Sequence, residues 1–471
     1  MRISSQDNNS AQASLLSRLK ELNLTPADAL NDESSQLRLR TFSAEQLAEL
    51  RQFRAQVLDD IGQVQNGSFF PGFPGLPDQP GGKVTPPPIQ PGPPDYSCHD
   101  PREVLRKQDP EAYAALSGLP QEVQNEFLSL VRTMGFQTDP GKQLGGILGS
   151  LARNPGDEPR INPDLLALLK SGKLMTRDST GRTLLQNLTS LSTQEMGPNL
   201  DRQKIFDELC KQINDPGQIN QGVGKGTCAP TTIQHLQATR DPAEYARIMV
   251  GLTSESGEVR MRNGEILKRD LGSVASDGSG RDTISRLYQA ALMEYANGEN
   301  EYDNRTDEHT RPNDSTYKGL YGEESERALD ALFGDQYDYT EVNNRTAEGR
   351  GKAEAALRKA LDAGQQVPVG ISWGEGAHAL LVVGMTESTV ILRNPWGSFD
   401  RGGDGSNGSP PREALDDGGT IEMSKEEFFS RLNGMHLPKE GGGGRKFLGI
   451  RLPGFGNRGL GGGSPKGRDH G

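Results

Sequence analysis

Three cysteines in 471 residues, at positions 98, 210 and 228, are too few and too scattered for a disulfide framework or a thiolate zinc site. Their odd number leaves at least one thiol free. Apolar residues are also scarce, at 32% of the chain against 59 glycines and 30 prolines. A good part of the sequence is therefore expected to be linker or tail rather than packed core. Basic charge is in deficit: 52 Lys and Arg stand against 64 Asp and Glu, a net charge of −12. That balance argues against a general nucleic-acid binder, which needs a basic face to neutralise phosphates. No apolar run approaches the roughly 20 residues that span a bilayer, so no transmembrane segment is expected.

The first residues, "MRISSQDNNSAQASLLSRL", have no apolar stretch of the kind a secretory signal needs. The expected location is cytoplasmic, or outside the cell after export without a cleaved signal, since this Ser-, Asn- and Gln-rich start resembles the polar leaders of bacterial effectors.

Composition divides the chain into five segments. Residues 1–66 form a polar leader and an amphipathic helix, in which Ser43 and Gln46 have capping-box spacing ahead of a stripe of Leu47, Leu50, Phe53, Val57 and Ile61. Residues 67–97 are a Pro/Gly-rich linker of polyproline character. Residues 98–199 read as a small all-helical unit of short apolar groups broken by Gly, Pro and Asn. From 200 to 437 the pattern is mixed. Helical spacing at Asp201–Ile213, Asp241–Gly251, Asp282–Ala296 and Glu323–Gly334 gives way to period-two strands, "VPVGISW", "HALLVVGM" and "TVILRNPW". Residues 438–471 are a Gly-rich basic tail, with "KFLGIRL" as a candidate last strand. The expected class is α+β.

Closing the last two strands with the five-residue loop Gly384 to Ser388 pairs Val382 with Val390, Leu380 with Leu392, and His378 with Asn394. An amide oxygen opposite the imidazole would fix its tautomer without adding a charge. Trp396 then stands close enough to shield that hydrogen bond from water. "WGEGAH" reads as a flexible glycine loop ahead of the histidine. Further upstream, "GVGKGTCAPTT" places Cys228 where a glycine-rich loop stops and a helix begins. Pro230 suits the first helical turn because it needs no donor there. A thiolate at Cys228 would gain from the helix dipole and from a protonated His378.

The series "NQGVGKGTC", "GAHALLVVGM" and "VILRNPWG" resembles the catalytic motifs of papain-like cysteine peptidases, and "RNPWG" is similar to the calpain branch. The resemblance covers roughly Leu200 to Leu437. It implies a papain-like catalytic domain, a helical half with the nucleophile helix beside an antiparallel β half, that acts on a protein or peptide substrate without a cofactor or metal. Carried over by position, Cys228 is the nucleophile, His378 the base, Asn394 its orienter, Trp396 the shield and Gln221 the oxyanion donor, with Gln218 as a fallback. The chain departs from the family where Ala229 and Pro230 follow the cysteine in place of an aromatic residue. The same triad would serve an acyl- or amide-transferring toxin, and the fold without catalysis would make a binding module. The helical segment 100–194 precedes the catalytic half as inhibitory propeptides do, and intramolecular inhibition is a further expectation.

Other candidates are weaker. Cys210 lies beside the apolar face of its helix and reads as core. Cys98, His99 and Asp100 are sequence neighbours that cannot converge as a triad. His235 reads as a packing or surface residue rather than a second base. "DRGGDGSNG", Asp400 to Gly408, offers oxygens for calcium but misses the EF-hand spacing.

Overall fold

The computed structural model describes residues 99–137, 159–334, 337–416 and 418–439. The leader helix, the proline-rich linker, Cys98, "KFLGIRL" and most of the tail lie outside the described residues. The chain is mixed helix and sheet, in two compact units that divide between Asn162 and Pro163.

In the first unit, Asp100 and Asp109 cap helices α1 (Pro101–Gln108) and α2 (Pro110–Ser117), each with proline at its first position. Helix α3 (Gln121–Leu130) runs into a π-turn, and Phe136–Gln137 pairs with Arg160–Ile161.

The second unit begins with α4 (Pro163–Lys170) and α5 (Leu184–Thr193). Composition suggested that these belong to a separate helical unit ending near 199. They are instead integral to the second one: α4 packs on α6 (Arg202–Asn214), and α5 on both α6 and a later helix, Pro242–Thr253. Their faces bury Leu165, Leu168, Leu184, Leu188 and Leu191. The boundary follows a stretch dense in proline and glycine, Pro140 to Pro163, which reads in the sequence as turns within one helical unit rather than as a division. A chain shortened to Leu200 would strip this packing, so a test of inhibition has to begin at Pro163.

Helix α7 (Cys228–Arg240) is followed by α8 (Pro242–Thr253), α9 (Thr283–Ala296) and α10 (Gly322–Phe333). From Ala229 to Ala238 every residue of α7 is buried, although many are polar. A network engages the glutamines: Gln234 Nε2 donates to Gln212 Oε1 and the Tyr245 hydroxyl, Gln234 Oε1 accepts from Gln289, and Gln237 Oε1 accepts from Tyr288.

The β half is one antiparallel sheet of seven strands: β1 (Tyr337–Glu341), β2 (Val367–Trp373), β3 (Gly376–Met385), β4 (Thr389–Arg393), β5 (Glu413–Ala414), β6 (Thr420–Ser424) and β7 (Leu432–Pro438). Their spatial order is β5-β6-β4-β3-β2-β7-β1. Helices α11 (Ala347–Asp362) and α12 (Lys425–Arg431) cover one face, where Leu357, Ala353 and Phe428 meet Val367, Val369, Leu380 and Val390. Leu357 is fully buried there. Leu357→Ala should cost about 2–5 kcal/mol of stability, read as a lower urea midpoint with an unchanged slope.

Candidate active site

The register of β3 against β4 differs from the one assumed. Leu381 faces Arg393 and Val382 faces Leu392, with a bulge before Gly384 faces Ile391. The turn is shorter than five residues, which slides the strands by two positions before the bulge. A slide of two keeps every side chain on its own face. His378 and Asn394 therefore still share a face, diagonally rather than directly opposed, and His378 Nε2 lies 2.8 Å from Asn394 Oδ1. "WGEG" is not a loose loop. Trp373 pairs with Gly376, closing β2 onto β3, and Gly374 takes the positive φ the tight turn requires.

Cys228 is the first residue of α7 and is partly exposed, while Cys210 is fully buried as expected. Helix α7 packs against β3. The Cys228 thiol meets the backbone N–H of Ala379, the residue after His378, together with the N–H groups of Ala229 and of Cys228 itself.

The loop before Cys228 is pinned at several points. Gln221 N–H donates to the Pro395 carbonyl and Val223 N–H to the Ser279 carbonyl, both at 2.8 Å. Gly226 N–H donates to Asp307 Oδ2 at 2.6 Å, and Lys225 Nζ reaches the Asn304 carbonyl and Asp277. Gly222 has φ +74°, and a Cβ there would meet the Ser279 carbonyl at 2.7 Å, so only glycine fits. Gln221 is buried, with one amide N–H committed to the Lys225 carbonyl and Oε1 unpartnered. Gln218 is exposed and bonds Asp215, which removes it as a fallback.

Electrostatics at the pair differ from expectation. Burial pushes the Cys228 thiol up, against the three N–H groups that pull it down. Burial also pushes His378 down to about 4, against the pull of its bond to Asn394 and the charge of Asp400. Burial thus works against both the thiolate and the imidazolium.

Three residues beyond the motifs, Trp373, Asp400 and Arg412, complete the surroundings of the imidazole. Trp373 and Trp396, the only tryptophans of the chain, flank the His378 ring at centroid distances of 5.0 and 5.2 Å. Asn394 Nδ2 donates to Asp400 Oδ2 at 2.6 Å, and Arg412 pairs with the same carboxylate at 2.7 Å. Asp400 is therefore committed to protein partners and is no calcium ligand in this arrangement. Among the described residues no group of His, Cys, Asp and Glu is clustered for a metal. His235 is buried, accepts from Arg393 Nε at 3.1 Å and is pushed down to about 3, as suits a packing residue. The "CHD" cluster is not a site in what is described: Asp100 caps α1. A sequence signal for Trp373 existed, since a rare tryptophan sits one hairpin turn from His378; Asp400 and Arg412 carried none. No helix among the described residues is long and apolar enough to cross a membrane.

No family profile matches the chain, and no curated protein matches it.

Proposed function

We propose that the chain is a cysteine hydrolase of papain-like α+β fold, cleaving peptide or isopeptide bonds through a thioester on Cys228 with His378 as general base. The observation that carries the reading is the single constellation of a helix-start cysteine, the Ala379 N–H at its thiol, and a 2.8 Å His378–Asn394 bond whose imidazole packs against two indole rings. With Nε2 held by Asn394, Nδ1 is the nitrogen left to take the thiol proton. Attack on the carbonyl carbon forms the Cys228 S–C bond. The oxyanion then faces the Cys228 N–H and the free Gln221 N–H, and the imidazolium gives its proton to the leaving amine. Water, deprotonated by the regenerated neutral His378, hydrolyses the thioester; an acceptor amine in place of water would make the chain a transferase. A protein or peptide is the substrate class, and no cofactor is required.

A second reading, a catalytically silent binding module, draws on the burial that disfavours both charged forms of the pair and on the Gln221 N–H already bonded to Lys225. A peptidyl epoxide separates the two, because it takes its proton at the site rather than needing a free thiolate. Mass spectrometry should find it on Cys228 and not on Cys98 or Cys210, and a peptide library should be cleaved by the same preparation. Equal labelling of Cys98 and Cys228 with an uncut library would favour the binding module.

Asn394→Ala should slow turnover by about ten- to a hundred-fold without abolishing it, since orientation contributes less than the nucleophile. An unchanged rate with a lowered melting temperature would make Asn394 structural. If residues before Pro163 inhibit the site, a chain starting there should react faster with the epoxide than the full chain; equal rates would leave them a docking or delivery role.

A further inference from the structure

We propose that Asp400 and Arg412 are positioning residues that set the tautomer of His378 through the side-chain amide of Asn394. The inference rests on the reading of His378 as base. An amide has one accepting and one donating end, so whatever fixes one end fixes the other. Asn394 Nδ2 faces Asp400 Oδ2 at 2.6 Å. An ionised carboxylate only accepts, and this one is held in place by Arg412 Nε at 2.7 and 2.9 Å and by Gly402 N–H at 3.0 Å. Asn394 Oδ1 must then point the other way, toward His378 Nε2 at 2.8 Å and the Trp396 N–H at 3.1 Å. Facing an acceptor, Nε2 carries the proton, and Nδ1 keeps the lone pair that deprotonates Cys228.

Burial makes the arrangement stiff. Asp400, Asn394 and His378 are 1%, 2% and 6% exposed. A reversed amide would set its oxygen against the carboxylate in a region where an unpaired polar atom is costly. Arg412 is itself fixed: Nη1 donates to the Pro410 carbonyl, and its guanidinium carbon lies 4.7 Å from the Trp373 ring and 5.8 Å from the Trp396 ring. Those are the two rings that flank His378. One guanidinium therefore both orients the carboxylate and backs the aromatic walls of the imidazole.

The test is heteronuclear NMR of the full chain with 15N-labelled histidine, the His378 signals being assigned from His378→Gln. The wild type should show Nε2 protonated and Nδ1 bare. Asp400→Asn should give a mixture of tautomers and lower kcat about ten-fold with KM unchanged. Combined with Asn394→Ala, it should add less than about two-fold to the loss that Asn394→Ala causes alone, because Asp400 acts only through that amide. Should Asp400→Asn fail to fold, Asp400→Asn with Arg412→Gln removes both buried charges and carries the same expectation. A pure Nε2–H tautomer in the Asp400 variant, or losses that multiply in the double variant, would overturn the proposal. The tautomer is readable without turnover. A chain that hydrolyses nothing but shifts tautomer with Asp400 would sink the hydrolase and leave the positioning role intact.

Discussion

Cys228→Ala should lower peptide hydrolysis by about four orders of magnitude or more and abolish epoxide labelling, with a melting temperature within about 3 °C of wild type. On the proposed reading the other described cysteine cannot take its place: Cys210 is fully buried, with burial pushing its thiol far up. Little stability should be lost, because Cys228 is partly exposed and its deletion opens no closed cavity. His378→Gln should cost a similar share of activity. Glutamine is the better replacement than alanine, since the imidazole packs against both Trp373 and Trp396 and emptying its place would confound the result. Wild-type hydrolysis by Cys228→Ala would show that the reactive group lies elsewhere.

Acidification from pH 6.5 to 5 should destabilise the second unit by several kcal/mol. His235 is pushed down to about 3, and His309 and His378 to about 4, each chiefly by burial. His436 is lowered as well. An unfolded histidine titrates near 6.5, so through this window the unfolded chain binds protons that the folded chain refuses. Stability therefore rises with pH here and is lost as pH falls, at about 2 kcal/mol for each of the first three groups at pH 5. Glu208 works in the opposite sense: burial and Asp282 raise it to about 7, so its protonated form favours the fold in acid and offsets about one histidine. Melting temperatures at pH 7.5, 6.5, 5.5 and 4.5 would show the fall, and His309→Gln should shallow it. A flat profile between 6.5 and 5 would mean that these rings are hydrated in solution.

The parts of the fold legible in the sequence were those with local periodicity. "VPVGISW" is β2 as read, and Asp201–Ile213 and Asp282–Ala296 are helices within a residue or two of their expected ends. The face shared by His378 and Asn394 survived a wrong register only because the error was even; the bulge at Val383 has no local mark. Helix α11 went unread because Gly349 and Gly351 interrupt it and alanines form much of its buried side. Helix α7 hides its burial for another reason. Among its buried residues are glutamines whose partners sit on α6, α8 and α9, apart from it in sequence. The Asp400–Arg412 pair depends on the Gly403–Arg412 bridge that folds the intervening loop back on itself. Protonation states were beyond reach too, since they follow from desolvation, which only packing determines.

The pairing of the two indoles makes the protein its own optical reporter. Trp373 and Trp396 lie 5.3 Å apart at 73°, and the chain has no other tryptophan. All of its indole emission therefore arises against His378 and Arg412. Protonating the imidazole or seating an acyl group on the neighbouring sulfur should change that emission without any added dye, so occupancy of the site can be followed in real time on the unlabelled protein.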